Sequence, residues 1–255
     1  GANKVTQDGA HNIVLGDMHT FSSYGGLVVG NNNTISGPYS AVTGGCNNKA
    51  SGYASTVTGG RYNLASGFVS SVGGGGANTA SGEGSVVSGG SFNAAGVVDT
   101  PSGNYSSVSG GSFNIASGSY SAVTGGEGNE ASGVFSAVNG GVNNTASGKN
   151  SAVNGGYNNT ASGLVGSVNG GYFNEGSGEG SAVSGGYLNT ASGVTSSVSG
   201  GYNNTALGET SSVNGGYLNK GSGAGSAVSG GYNNTALGET SSVNGGYLNK
   251  GSGAG

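Results

Sequence analysis

Tryptophan is absent, cysteine and methionine occur once each, proline and histidine twice each, and charged residues make up only 6% of the 255 positions. Each shortage excludes something. A single cysteine, Cys46, rules out an internal disulfide framework, and it stands where other rows carry Tyr, Val or Ser, which reads as one small side chain in a variable column. Six Lys and Arg, scattered in a chain of formal net charge -4 and pI about 4.9, give no basic stripe to displace counterions, so nucleic acid is not an expected partner. No run of about 20 apolar residues occurs, and residues 1–16 lack a basic segment followed by an apolar core, so no membrane insertion is expected in this segment.

Chemistry is equally scarce. His11 and His19 fall in an atypical N-terminal stretch and read as polar cap residues. The acids, among them Asp8, Asp17, Asp99, Glu127, Glu130, Glu175, Glu179, Glu209 and Glu239, are dispersed. Glu209 and Glu239 share a column of the repeat, but Ala224 stands between them, so no carboxylate pair forms on adjacent rows. Strings like G-x-G-x-x-G arise by chance in so glycine-rich a chain, and the Asp of calcium-binding G-G-x-G-x-D repeats is missing from every row. The expectation is a non-enzyme with no catalytic residue, no metal and no cofactor.

Glycine is what the chain has in excess, at 61 residues, and a chain so composed without period would stay disordered. The period is present. Written in rows of fifteen from Ser40, the sequence repeats S-[AS]-V-x-G-G-x-x-N-x-A-S-G-x-x. One column holds Val42, Val57 and Val153, and another holds Asn48, Asn63, Asn159 and Asn204. Each row has two short segments, S-[AS]-V-x and x-A-S, too short for helices and separated by Gly-Gly and Ser-Gly, where glycine reaches positive φ freely. Two strands and two turns make one flattened coil.

The expected fold is therefore an all-β parallel β-solenoid, or β-roll, of 15-residue coils with two short strands per coil. Alternation puts Val42 and Ala50 inside and Ala41, Thr43 and Ser51 outside, so the interior is one Val and one Ala per coil. Gly176, Gly221 and Gly251 replace that Ala. Residues 1–39 read as atypical first coils or a cap, and residues 40–255 as the regular repeat, with a loop inserted at 96–101 that contains Pro101. Stacking at about 4.8 Å over some sixteen coils predicts a rod about 75 Å long, with the Asn column as an in-register amide ladder. Residues 198–225 recur unchanged as 228–255, which suggests recent duplication and a slice of a longer filament.

The most suggestive surface feature follows Gly-Gly: Tyr157, Tyr172, Tyr187, Tyr202, Tyr217, Tyr232 and Tyr247, with Phe173, Leu188, Leu218 and Leu248 beside them. It reads both as a stacking ladder and as a stripe facing a partner. A threonine-bearing column, Thr145, Thr160, Thr190, Thr205 and Thr235, admits ice binding as an alternative, but Glu175 and Lys220 interrupt it. Asn-x-Thr triplets at Asn143, Asn158, Asn203 and Asn233 match glycosylation acceptors and also fall out of the repeat.

The phrases S-x-V-x-G and N-x-A-S-G-x-x-S, from Asn12 to the end of the chain, resemble the head repeats of trimeric autotransporter adhesins, haemagglutinin/invasin-like repeats that build a left-handed parallel β-roll. The resemblance implies an extracellular or cell-surface protein of bacterial origin, three chains packed side by side, and adhesion to host or environmental surface glycans or proteins. Family coils carry a larger aliphatic beside the inward residue at the threefold axis, as Val14-Leu15 and Val28-Val29 do here. Later rows have Ala, Ser, Thr or Asn there, which leaves open a homotrimer with a polar seam, an end-to-end filament, and a single-chain solenoid that binds carbohydrate or ice.

Overall fold

The computed structural model describes residues 9–96 and 103–253. The first coil contributes strands β1 (Ile13–Asp17) and β2 (Thr20–Phe21), and the second β3 (Leu27–Asn31) and β4 (Thr34–Ile35). β1 pairs in parallel with β3, and β2 with β4. From Ser40 onward each strand shrinks to two residues, as in Ala41–Val42 and Lys49–Ala50, shorter than the four-residue segments of the sequence grammar, because the flanking residues are already turning. Thirty-two strands, two to a coil, and no helix among the described residues make this an all-β parallel β-solenoid of about sixteen coils. Within each of two units, residues 1–132 and 133–255, alternate strands form two parallel sheets.

Register follows the period. Val42 pairs with Val57 and Ala50 with Ala65 in fifteen-residue steps, and Val87 still pairs with Val108 and Ala95 with Ala116 across the insertion. That insertion, apart from Gly96, lies outside the described residues. The first two steps, Val14 to Val28 and Val28 to Val42, are fourteen residues long. The residue they omit is the first glycine of Gly-Gly.

The interior is richer than one Val and one Ala per coil. Val42 and Ala50 are fully buried, but so are Ser40 and Asn48, and Gly52 is buried beside them. Strand alternation alone does not foresee this, because the turns fold inward and carry their own side chains into the coil. The Asn column bonds mainly to backbone. Asn63 donates from Nδ2 to Gly59 O (2.9 Å) and to Gly75 O of the next coil (3.0 Å), while its own N–H donates to Asn48 Oδ1 (2.9 Å). Each such bond is worth about 1 kcal/mol net, and far more is lost when a buried partner is left orphaned.

His19 fills the same place in the first coil. It is fully buried; its Nδ1 accepts the Asn33 N–H at 3.2 Å and its Nε2 lies 3.1 Å from Leu15 O. Leu15 O can only accept, so the ring is the neutral Nε2–H tautomer, reproducing the Asn pattern of one acceptor and one donor. The serine column is less uniform. Ser55 Oγ donates to Gly52 O (2.8 Å), whereas the buried hydroxyls of Ser151, Ser181, Ser196 and Ser211 have no partner.

The glycines are not equivalent. In Gly59-Gly60, a Cβ on Gly59 would meet nothing within 4 Å, whereas Gly60 has φ +83° and its Cβ would collide with Gly75 O of the next coil. The Ser-Gly glycine corrects the expectation of positive φ: Gly67 lacks it and is required because its Cβ would strike Gly82 O. The left-handed position of that turn lies two residues further on and is often not glycine, as at β-branched Val69 (φ 52°), Val165 (φ 57°) and Thr195 (φ 52°), where such a φ is unfavourable.

Gly59→Ala is therefore expected to leave the urea midpoint nearly unchanged, while Gly60→Ala costs about 3 kcal/mol through clash and positive φ. Gly176→Ala should stabilise. Its Cβ would sit 3.3 Å from Ser167 O and 3.5 Å from Val168 Cγ2, at a backbone without positive φ. The gain expected is about 1 kcal/mol from methyl burial and reduced unfolded-chain freedom, read as a higher urea midpoint.

Candidate functional site

The tyrosine stripe is built by the turn after Gly-Gly. Each Tyr backbone makes a single parallel bridge to its equivalent in the next coil, in sequence Tyr157, Tyr172, Tyr187, Tyr202, Tyr217, Tyr232 and Tyr247. The following residue is left-handed, as at Asn158 (φ 53°), Phe173 (φ 54°) and Leu188 (φ 57°), which turns the chain and leaves both side chains outward. Asn143, Asn158, Asn203 and Asn233 all take this conformation, which Asn tolerates, so their triplets have a backbone reason.

Coil spacing dictates the ring contacts. Successive centroids along the seven rings lie 5.5, 6.4, 5.2, 4.7, 5.1 and 5.0 Å apart, with the last four pairs within 13° of parallel. Phe173 meets Tyr157 and Tyr187 edge-on at 5.5 and 6.1 Å. The tyrosines nevertheless stay between 37% and 67% exposed, so stacking with their own kind leaves an edge of each ring open to solvent.

Residues 1–132 carry a second aromatic edge, at the turn before Ser. Tyr24–Tyr39 and Tyr39–Tyr53 meet edge-on at 5.3 and 5.6 Å, and Tyr53–Phe68 and Tyr105–Tyr120 stack at 5.1 and 5.2 Å. Sequence reasoning passed over it by treating those two residues as variable. The signal was there in their aromatic content over the first rows, split between two adjacent columns. Glu83 lies on this edge and accepts a hydrogen bond from Tyr105 Oη at 2.9 Å, which holds the phenol proton and raises its pKa above the usual value.

No protein-family model matches this chain, and no curated protein matches it. Its surface chemistry must be read from its own residues. The outer face of one sheet is small and polar, with an exposed amide ladder in which Asn139 Nδ2 donates to Asn154 Oδ1 (2.7 Å) and Asn154 Nδ2 to Asn169 Oδ1 (2.8 Å). On the other sheet Thr145 pairs with Thr160 and Thr190 with Thr205, but Glu175 and Lys220 fall in the same row of partners. In the first coils the outer face is apolar, with Ile13, Leu15 and Met18 exposed. Among the described residues no group of three or more His, Cys, Asp or Glu is placed to hold a metal ion.

Tyr202 touches a ring on either side, at 5.2 and 4.7 Å, and Tyr247 stacks on Tyr232 at 5.0 Å. Tyr202→Ser should lower local stability by about 1–2 kcal/mol and Tyr247→Ser by about half that, read from hydrogen exchange of the adjacent coils. Equal effects at the two sites would show that ring stacking is not what the stripe contributes to the coil.

Proposed function

We propose that this chain is a non-enzymatic structural segment of an extracellular fibre or adhesin of the trimeric autotransporter type, which associates with itself and presents an adhesive surface to host or environmental glycans and proteins. The observation that carries this reading is the exposed tyrosine column, repeated at coil spacing on one edge while the Ser, Val, Asn and Ala columns are consumed inside. Surface of that kind suits many weak, regularly spaced contacts with another extended surface. It does not suit enclosure of one small substrate, since the coil interior is filled by the residues that hold the stack together.

Side-by-side association has support in the first coils. Ile13 and Leu15 stand exposed on the outer face of β1, and Leu27 and Val29 lie half-buried beside them on β3. An apolar patch rimmed by polar residues marks a contact surface. The extracellular placement rests on the resemblance of the repeat phrases to adhesin head repeats.

Light scattering after size exclusion, over a range of concentrations, tests the association. The expected result is three times the 23.9 kDa protomer mass, stable on dilution, and reverting to one protomer in the Leu15→Asp, Leu27→Asp double variant. A wild-type monomer at every concentration would overturn the trimer and leave a single-chain solenoid that binds carbohydrate or ice. Growth of mass with concentration would replace it with end-to-end assembly.

A further inference from the structure

One aromatic column has a missing rung. Arg61, Gly76, Ser91 and Ser112 are bridged partners in successive coils, so the residues that follow them, Tyr62, Ala77, Phe92 and Phe113, form one column. The Phe92 and Phe113 rings stack with centroids 4.9 Å apart and 2° between planes. Tyr62 and Phe92 stand two coils apart, about 10 Å at the ordinary strand spacing. Between them Ala77 supplies only a methyl group, and a Cβ at Gly76 would meet nothing within 4 Å.

An open pocket of about 270 Å³ occupies this gap, lined by Arg61, Tyr62, Gly76, Ala77, Ser91 and Phe92. Two coil steps are the height that one inserted ring needs to lie at stacking distance from a ring on each side. A cavity of about 150 Å³ accepts benzene, so this one has room for a ring and a short substituent. The substituent has a partner. Arg61, the only arginine in the chain, places its guanidinium carbon 4.7 Å from the Tyr62 ring centroid and donates from Nη2 to Tyr62 Oη at 3.2 Å. The groups acting on this guanidinium are Tyr62 and Cys46, with no carboxylate among them, and Arg61 is itself part of the pocket lining.

We propose that this pocket binds a small aromatic acid, its ring inserted over Ala77 between Tyr62 and Phe92 and its carboxylate received by Arg61. The ring completes the stack that the sequence interrupts, and the carboxylate supplies the negative charge that no neighbouring side chain brings to Arg61. An aliphatic acid offers the charge without the face, and a neutral arene the face without the charge.

The test is an NMR titration of the full chain with phenylacetate. Saturable binding with upfield-shifted ring protons is expected, since the ligand ring lies between two ring faces. Cyclohexylacetate and benzyl alcohol should each bind at least about fivefold more weakly. Ala77→Phe fills the gap with the chain's own ring and should abolish binding. It is compatible with the backbone, because Ala77, Phe92 and Phe113 share φ values of 55°, 55° and 56°. Gly76→Tyr, in the column that elsewhere carries tyrosine, should block the pocket independently, and Arg61→Gln should weaken phenylacetate about fivefold while the upfield shift persists. Binding unchanged by both filling variants, no saturation by phenylacetate, or binding of glucuronate in its place would overturn the proposal. None of these outcomes depends on how many chains associate.

Discussion

Successive coils approach so closely that a carbonyl of one occupies the space a side chain would need on the coil before it. At Gly60 and Gly67 a Cβ would strike Gly75 O and Gly82 O respectively. Close approach comes from backbone pairing at the strand spacing, and it is tolerable only where two columns are glycine. The rest follows from it. Because the turns are drawn inward, Asn48 and its equivalents reach the glycine carbonyls, and because every coil repeats this geometry, each exposed side chain stands over the equivalent position of the next coil. The tyrosine stripe is thus a by-product of main-chain register before it is anything else.

The Asn column answers the cost of that approach. Turn carbonyls packed at the coil edge would be left without donors, and a buried unpaired carbonyl is expensive. One amide covers two of them and accepts a backbone N–H as well. His19 shows that the requirement is for the donor–acceptor pattern and not for asparagine itself, since an imidazole in one tautomer satisfies it. In the second coil, residue size is compensated locally: Ile35 takes the place of Ala, and Gly26 stands where Ser40 stands later, with Ile35 Cδ1 2.6 Å from where a Cβ on Gly26 would lie.

Much of this was legible in the sequence, because a fifteen-residue period with Val, Asn, Ala and paired glycine columns leaves few ways to pair a backbone. The inward Val and Ala followed from alternation. What did not follow were properties that depend on distances between coils rather than on residue type. The two glycines of Gly59-Gly60 look alike in sequence, yet only the second faces a carbonyl. Likewise, Ala77 reads as one more variable residue until the rings of Tyr62 and Phe92 are seen to flank it. His19 escaped because its role is defined by two bonding directions that composition does not encode.

The repetition of residues 198–225 as 228–255 takes on another meaning beside the register of Val198, Val213, Val228 and Val243. The two copies are offset by two whole coils, so the valines of the second copy continue the same register as those of the first. A duplication that is not a whole number of coils would put valine out of register with valine and asparagine with asparagine. At the level of the gene, length becomes a trait that changes in units of forty-five nucleotides, by slippage or recombination between near-identical rows, without passing through a misfolded intermediate. A lineage carrying this repeat can therefore vary how far its product reaches while leaving its cross-section untouched.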